Sequence, residues 1–233
     1  MDYIGEHSLI SFLGRASVAL SFAGALATVF FYSLYFFSSS EKKRYNHSGI
    51  KSAGRLSFAF HSIGVLGTIG ILFTALFNHW FEFDYVWRHS SLEMPMKYIA
   101  SCFWEGQEGS FLLWTTWHVI LGWVLVGTAK NWEFGTLMLL AMVQVFLTSM
   151  LLGIYIGDLK IGSSPFILIR ELPENIGLPW TELRDYLIRL PSLRNGQGLN
   201  PLLQNYWMVI HPPTLFLGFA SVTIPFLFAL TGI

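Results

Sequence analysis

His211 is followed by Pro212 and Pro213 and then by an apolar run that reaches Leu230. A neutral imidazole with one bare ring nitrogen is a ready metal ligand. Proline disfavours helix at the residue before it and is tolerated in a first helical turn. The order of residues therefore places His211 just outside a helix that enters a membrane. There an imidazole can ligate the metal of a cofactor docked on the rim. The polar stretch Gly198-Leu-Asn-Pro-Leu-Leu-Gln-Asn205 leads up to it.

A second chemistry-bearing stretch is Trp104-Glu-Gly-Gln-Glu-Gly-Ser-Phe-Leu-Leu-Trp114. Ser110 can cap a helix start, and Glu108 lies where a helix dipole favours negative charge. Trp104 and Trp114 suit an interfacial belt. Gly106 and Gly109 permit tight backbone turns, which is one account of them. The other is that they let a loop approach a flat ligand closely. The residue types alone fit both.

Two histidines fall inside apolar runs. His61 lies about six residues from the inner end of its span and His118 about eight from the outer end of its own, so their depths differ by roughly 10 Å. That offset makes them a poor axial pair for one haem. Ionisable groups within a membrane are functional candidates by default, yet each also reads as a buried histidine hydrogen-bonded across a bundle. His79 and His89 flank Trp80-Phe-Glu-Phe-Asp-Tyr-Val-Trp87, which reads as interfacial anchors or as a wall for a porphyrin. His7 and His47 read as solvated. There is no His-Glu-x-x-His, P-loop or Gly-x-Ser-x-Gly motif, and no residue is assigned as a catalytic acid, base or nucleophile.

The elements that must position these residues are membrane helices. The chain is 53% hydrophobic and only 12% charged, against about 25% charged in soluble domains. Its zero net charge argues against a nucleic-acid partner. The single Cys102 excludes an internal disulfide, a Cys-x-x-Cys pair and a c-type haem attachment motif. Runs at about 16–37, 56–77, 110–129, 135–157 and 210–231 are each long enough to cross a bilayer. The expected fold is all-α: a polytopic membrane bundle of about five spans over residues 1–233, with a long outer loop at 158–208. The first apolar stretch is too long for a signal peptide and reads as a retained span.

Lys42, Lys43, Arg44, Lys51 and Arg55 crowd the first loop, which the positive-inside rule puts in the cytoplasm. The N-terminus and the long loop then lie outside. That loop carries five basic and five acidic residues, but long loops obey the charge rule poorly. Within it, Trp180, Leu183, Leu187 and Leu190 have helical spacing between Pro179 and Pro191. This predicts a short amphipathic helix, lying either on the membrane surface or against the rest of the loop.

These motifs together resemble the CcmF/CcsA-type haem lyase family of cytochrome c biogenesis. The Trp104–Trp114 segment is similar to that family's Trp-Gly-x-x-Glu-Gly-Ser-Leu-Leu-Leu-Trp run. Leu199-Asn-Pro-Leu-Leu-Gln204 with Val209-Ile-His-Pro-Pro213 is similar to its outer segment before a span, and Phe83–Ser91 fits the same layout. The resemblance implies haem, b-type and non-covalently held, with His211 as a ligand to its iron. Trp104, Gly106, Glu108 and Gly109 would help shape the docking surface. It implies apocytochrome c as substrate, with a haem donor or chaperone, other maturation subunits and the bilayer as partners. It also implies a bacterial inner membrane with the haem face outside. The family's Trp-rich run and second outer histidine are absent, so the chain is expected to be an N-terminal part or one half of a split protein, inactive alone. The alternatives are a b-haem or quinone-binding subunit of a respiratory complex, and an assembly subunit without haem.

Overall fold

The computed structural model describes residues 3–39, 47–157 and 159–232. Lys42, Lys43 and Arg44, which carry much of the orientation argument, lie outside the described residues. Among the described residues, five long helices are apolar enough to cross a membrane. They are α1 (Ser8–Ser39), α2 (His47–Phe77), α5 (Gln107–Thr128), α6 (Glu133–Ser149) and α8 (Tyr206–Thr231). Three short helices, α3 (Asp84–His89), α4 (Met96–Glu105) and α7 (Tyr186–Arg189), lie between them. The only strands among the described residues are an antiparallel hairpin, β1 (Ile154–Ile156) and β2 (Leu159–Ile161). The protein is thus an all-α integral membrane bundle with one small hairpin.

The span order matches the hydropathy reading, but the ends differ. α1 and α2 begin earlier than the apolar runs because polar residues continue the helices beyond them. The fourth span stops at Ser149 instead of running to 157, because the chain turns there into the hairpin. α1 packs along α2 and α6, and α5 packs on α6 and α8. Close approach is made by small residues: a Cβ on Gly64 would lie 2.5 Å from the Ser21 nitrogen, and one on Gly24 as close to that of His61. Membrane helices associate largely through such packing, since lipid gives no hydrophobic drive between them.

At the end remote from the long loop, the buried Glu133 carboxylate ties three helices. Arg55 reaches it through Nε at 2.7 Å and Nη2 at 2.8 Å, Lys51 at 2.9 Å, and the Tyr32 hydroxyl at 3.4 Å. A carboxylate buried there without its cations would carry a heavy desolvation cost.

At the other end the long loop folds back as a cap. The Phe83 and Leu168 backbones form a bridge, and Phe166 fits against Gly14 of α1. Arg170 holds the buried Glu6 carboxylate with two contacts of 2.8 Å, and Tyr186 Oη donates to it at 3.0 Å. Arg15 pairs with Glu171. His7 is therefore not merely solvated. Its Nδ1 lies 2.6 Å from the buried Glu82 carboxylate and its ring stacks on Trp80 at 4.0 Å. The side chain of His47 is not among those described.

The amphipathic segment is also different from expectation. It breaks into a 3-10 turn at Pro179–Glu182, the single-turn α7, and a 3-10 turn at Pro191–Leu193. Tyr186 is fully buried and packs with Ile169, Leu193, Tyr3 and Trp180. The segment thus faces the rest of the cap, the second of the two placements its pattern allows, because Tyr186 and Trp180 find a closed aromatic cluster there.

Candidate functional site

The start of α8 is set by asparagine and not by proline. Asn200 Oδ1 accepts from Leu202 N at 3.0 Å, and Gln204 Nε2 donates to the Leu199 carbonyl at 3.0 Å. Asn205 then caps α8, its Oδ1 accepting from Trp207 N at 3.0 Å and Met208 N at 3.3 Å. An asparagine cap satisfies amide donors that a helix start leaves open. The expectation that His211 stands outside the helix is overturned. His211, Pro212 and Pro213 lie in its second turn. The cap fixes the first turn before either proline can act, and the backbone absorbs the prolines.

That absorption has a partner. Pro212 has no N–H, so the Met208 carbonyl loses its intrahelical donor. The Trp104 indole supplies one, Nε1 donating to Met208 O at 2.9 Å. Nearby, Trp117 Nε1 donates to the Pro213 carbonyl at 3.0 Å. Two tryptophans thus fasten α8 to α4 and α5 at its proline pair. His211 itself is exposed, and among the described residues neither ring nitrogen has a hydrogen-bond partner. It shares the unpacked face of α8 with Trp207, Leu215, Val222 and Phe226, all exposed. Only 11% of this span is buried, against 33–50% of the others, so α8 is the peripheral helix.

The glycine motif forms the junction between α4 and α5. Tyr85 of α3 is its hub. Its hydroxyl donates to the Phe103 carbonyl at 2.8 Å and accepts from Gly106 N at 3.2 Å. A Cβ on Gly106 would come within 2.6 Å of His89 Nε2 and of the Tyr85 ring. One on Gly109 would come within 1.5 Å of the Phe103 carbonyl oxygen and 2.4 Å of the Tyr85 hydroxyl. The space beside both glycines is thus filled by protein. Burial, reinforced by Glu108, pushes the Tyr85 phenol well above its ordinary range. Ser110 does not cap the start of α5, which begins at Gln107 after Gly106; lying inside the first turn, its Oγ donates instead to the Trp104 carbonyl at the end of α4, at 2.9 Å.

Glu108 faces a cavity of about 370 Å³ with Asp84, Arg88, His89, Lys160 and Glu174 among its lining. Arg88 is bound there to Asp84 at 2.8 Å, and His89 Nδ1 lies 3.2 Å from Glu105. The cavity is strongly polar, which suits ions and water better than a macrocycle. The aromatic run beside it is no porphyrin wall: Phe81, Phe83 and Tyr85 are buried in the cap core. Cys102 is buried too, and its thiol is pushed up to about 12 by burial, so it is not a nucleophile at neutral pH. Trp104, Gly106, Glu108 and Gly109 therefore share one junction. His211 is joined to it through Met208 and does not line the cavity.

A family model for cytochrome c assembly protein matches residues 104–233, more than half of the chain, including the Trp104–Trp114 stretch and α8. The chain belongs to the cytochrome c assembly protein family. Among its relatives, the cytochrome c-type biogenesis protein CcmF of Pseudomonas fluorescens is 28% identical over 176 residues, covering 76% of this chain and 23% of that protein. CcmF of Escherichia coli strain K12 is 27% identical over 171 residues, covering 73% and 23%. The cytochrome c-type biogenesis protein NrfE of Haemophilus influenzae is 25% identical over 192 residues, covering 81% and 26%. A solved structure of cytochrome c heme lyase CcmF superposes with a TM-score of 0.67 at 20% identity, covering 95% of this chain and 30% of that one. The five-span arrangement and its cap are thus a fold shared with that protein. This chain spans about a quarter of the length of these curated relatives.

Proposed function

We propose that this protein is a haem-handling membrane subunit of cytochrome c maturation, which presents haem at its loop-bearing face for thioether attachment to apocytochrome c. The observation that carries the reading is His211. It is an exposed imidazole with no partner among the described residues, on an unpacked apolar helix face, inside the region that defines the family. Such an imidazole would suit the iron of a haem, b-type and non-covalently held. Bound haem would supply the vinyl carbons to which the substrate thiols add. The chain's own work is positioning. His211 would hold the metal, Trp207 and Leu215 on neighbouring turns would offer apolar contact, and Trp104 would fix the height of α8. Gly106, Glu108 and Gly109 act behind this face by building the junction on which Trp104 stands. Apocytochrome c, a haem donor or chaperone and other maturation subunits are the partners this reading requires.

Haem content tests it. The protein purified from cells that mature c-type cytochromes should carry a Soret band that shifts on reduction and is lost to acid–acetone extraction, as non-covalent haem is. Protein that carries no haem and takes up none on titration would overturn the reading in favour of an assembly subunit without haem. A bound haem that cycles with a respiratory donor, while cytochrome maturation is unaffected by deletion, would favour the respiratory subunit.

We further propose an inner-membrane location with the cap on the periplasmic side. Lys51 and Arg55 lie at the opposite end, as the positive-inside rule asks. A cysteine introduced at Ser192 should react with an impermeant maleimide in intact cells, and one at Ser48 should not. The reverse pattern would invert the orientation.

A further inference from the structure

The bundle interior holds a second cluster that the haem reading does not use. His61 of α2, Thr115 and His118 of α5, and Gln144 of α6 are all completely buried. Each has a polar side-chain atom without a hydrogen-bond partner among the described residues: His61 Nε2, Thr115 Oγ1, His118 Nδ1 and Gln144 Oε1. The Phe58 ring of α2 packs on Gly122 of α5, and Trp123 Nε1 donates to Ser62 Oγ at 3.0 Å, which brings the His61 and His118 turns together.

Their hydrogen bonds decide the tautomers of the neutral rings. His61 Nδ1 lies 2.8 Å from the Ser21 carbonyl, which can only accept. Nδ1 therefore carries the proton and Nε2 is a bare lone pair. The Thr223 hydroxyl lies 3.2 Å from the Phe219 carbonyl and 3.3 Å from His118 Nε2; donation to the carbonyl leaves its oxygen to accept from His118 Nε2. His118 Nδ1 is then the bare nitrogen. Gln144 Nε2 donates to the Thr115 carbonyl at 3.3 Å, and its Oε1 has no partner among the described residues. Three bare acceptors thus belong to one buried cluster, and the unpartnered Trp114 Nε1–H lies one turn from His118.

We propose that this cluster is an internal water-binding site, in which water donates to His61 Nε2 and His118 Nδ1 and makes the two imidazoles one hydrogen-bonded unit inside the membrane. Buried polar atoms almost always find a partner, and water fills such sites where two to four polar groups converge. A metal dication is the poorer occupant. The cluster offers no carboxylate or thiolate, and the described residues contain no group of three His, Cys, Asp or Glu placed to hold one. Dehydrating a dication into an uncharged site is strongly unfavourable.

The full chain, labelled with ¹⁵N-histidine in lipid nanodiscs, tests this by solid-state NMR, with metal content measured on the same sample. His118→Asn serves for assignment only. Expected are a His61 ring protonated at Nδ1, a His118 ring protonated at Nε2, and magnetisation transfer from water protons to both bare nitrogens. The expected tautomers without transfer from water would mean a dry site and overturn the proposal. So would opposite tautomers, or stoichiometric metal that perturbs both rings. None of these readouts depends on haem binding at His211.

Discussion

His211→Ala should lower haem retention by the complete maturation system at least tenfold and reduce covalent cytochrome c to a similar extent, with membrane insertion unchanged. The side chain is exposed and packs against little, so its removal costs one metal–nitrogen bond and almost no folding stability. An aromatic belt residue at this height would ordinarily be Trp or Tyr, and Trp207 already fills that role one turn earlier. His211→Gly with added free imidazole should recover part of the haem, because a small ligand can occupy the vacated position. Haem content and maturation that stay normal in His211→Ala would remove the ligand assignment.

Gly109→Ala is expected to be among the most damaging single substitutions in the chain. The added carbon would sit 1.5 Å from a backbone oxygen, with no flexible side chain to yield. Relieving that overlap means separating α5 from the end of α4, which also breaks the Tyr85 contacts to Phe103 and Gly106. Overpacking typically costs about 1–3 kcal/mol and more when backbone must move, so a loss of roughly 3 kcal/mol or above is expected. Thermal unfolding in detergent measures it. Gly127→Ala is the control, since nothing lies within 4 Å of the place its methyl group would take, and helix propensity favours alanine by about 1 kcal/mol. Equal melting of the Gly109→Ala variant and the parent protein would refute the packing account of the motif.

The five spans are legible because each is a long apolar run, and hydropathy depends on nothing beyond the run itself. The cap is not, because its bonds are long-range. Arg170 with Glu6, Tyr186 with Glu6 and Phe83 with Leu168 join segments that local pattern cannot pair. The Pro179–Pro191 stretch has the spacing of a helix, but burial of Tyr186 decides its shape. At α8 the signal is present and easily misweighted: Asn205 is a strong cap, and Pro212 lies too far along to set the start. Both readings of Gly106 and Gly109 are open from residue type. Only the positions of Tyr85, His89 and the Phe103 carbonyl decide for packing. The junction residues can be named from the family motif, whereas Tyr85 as its hub carries no sequence signal beyond an aromatic run.

The indole that answers Pro212 also ties the inheritance of two distant positions. With proline at 212, losing Trp104 strands the Met208 carbonyl. With an ordinary residue there, the helix reclaims that carbonyl and the indole becomes redundant. The two residues therefore form a genetic pair whose double replacement is milder than the sum of the singles. One hydrogen bond thus couples the two positions energetically, although more than a hundred residues separate them in the chain.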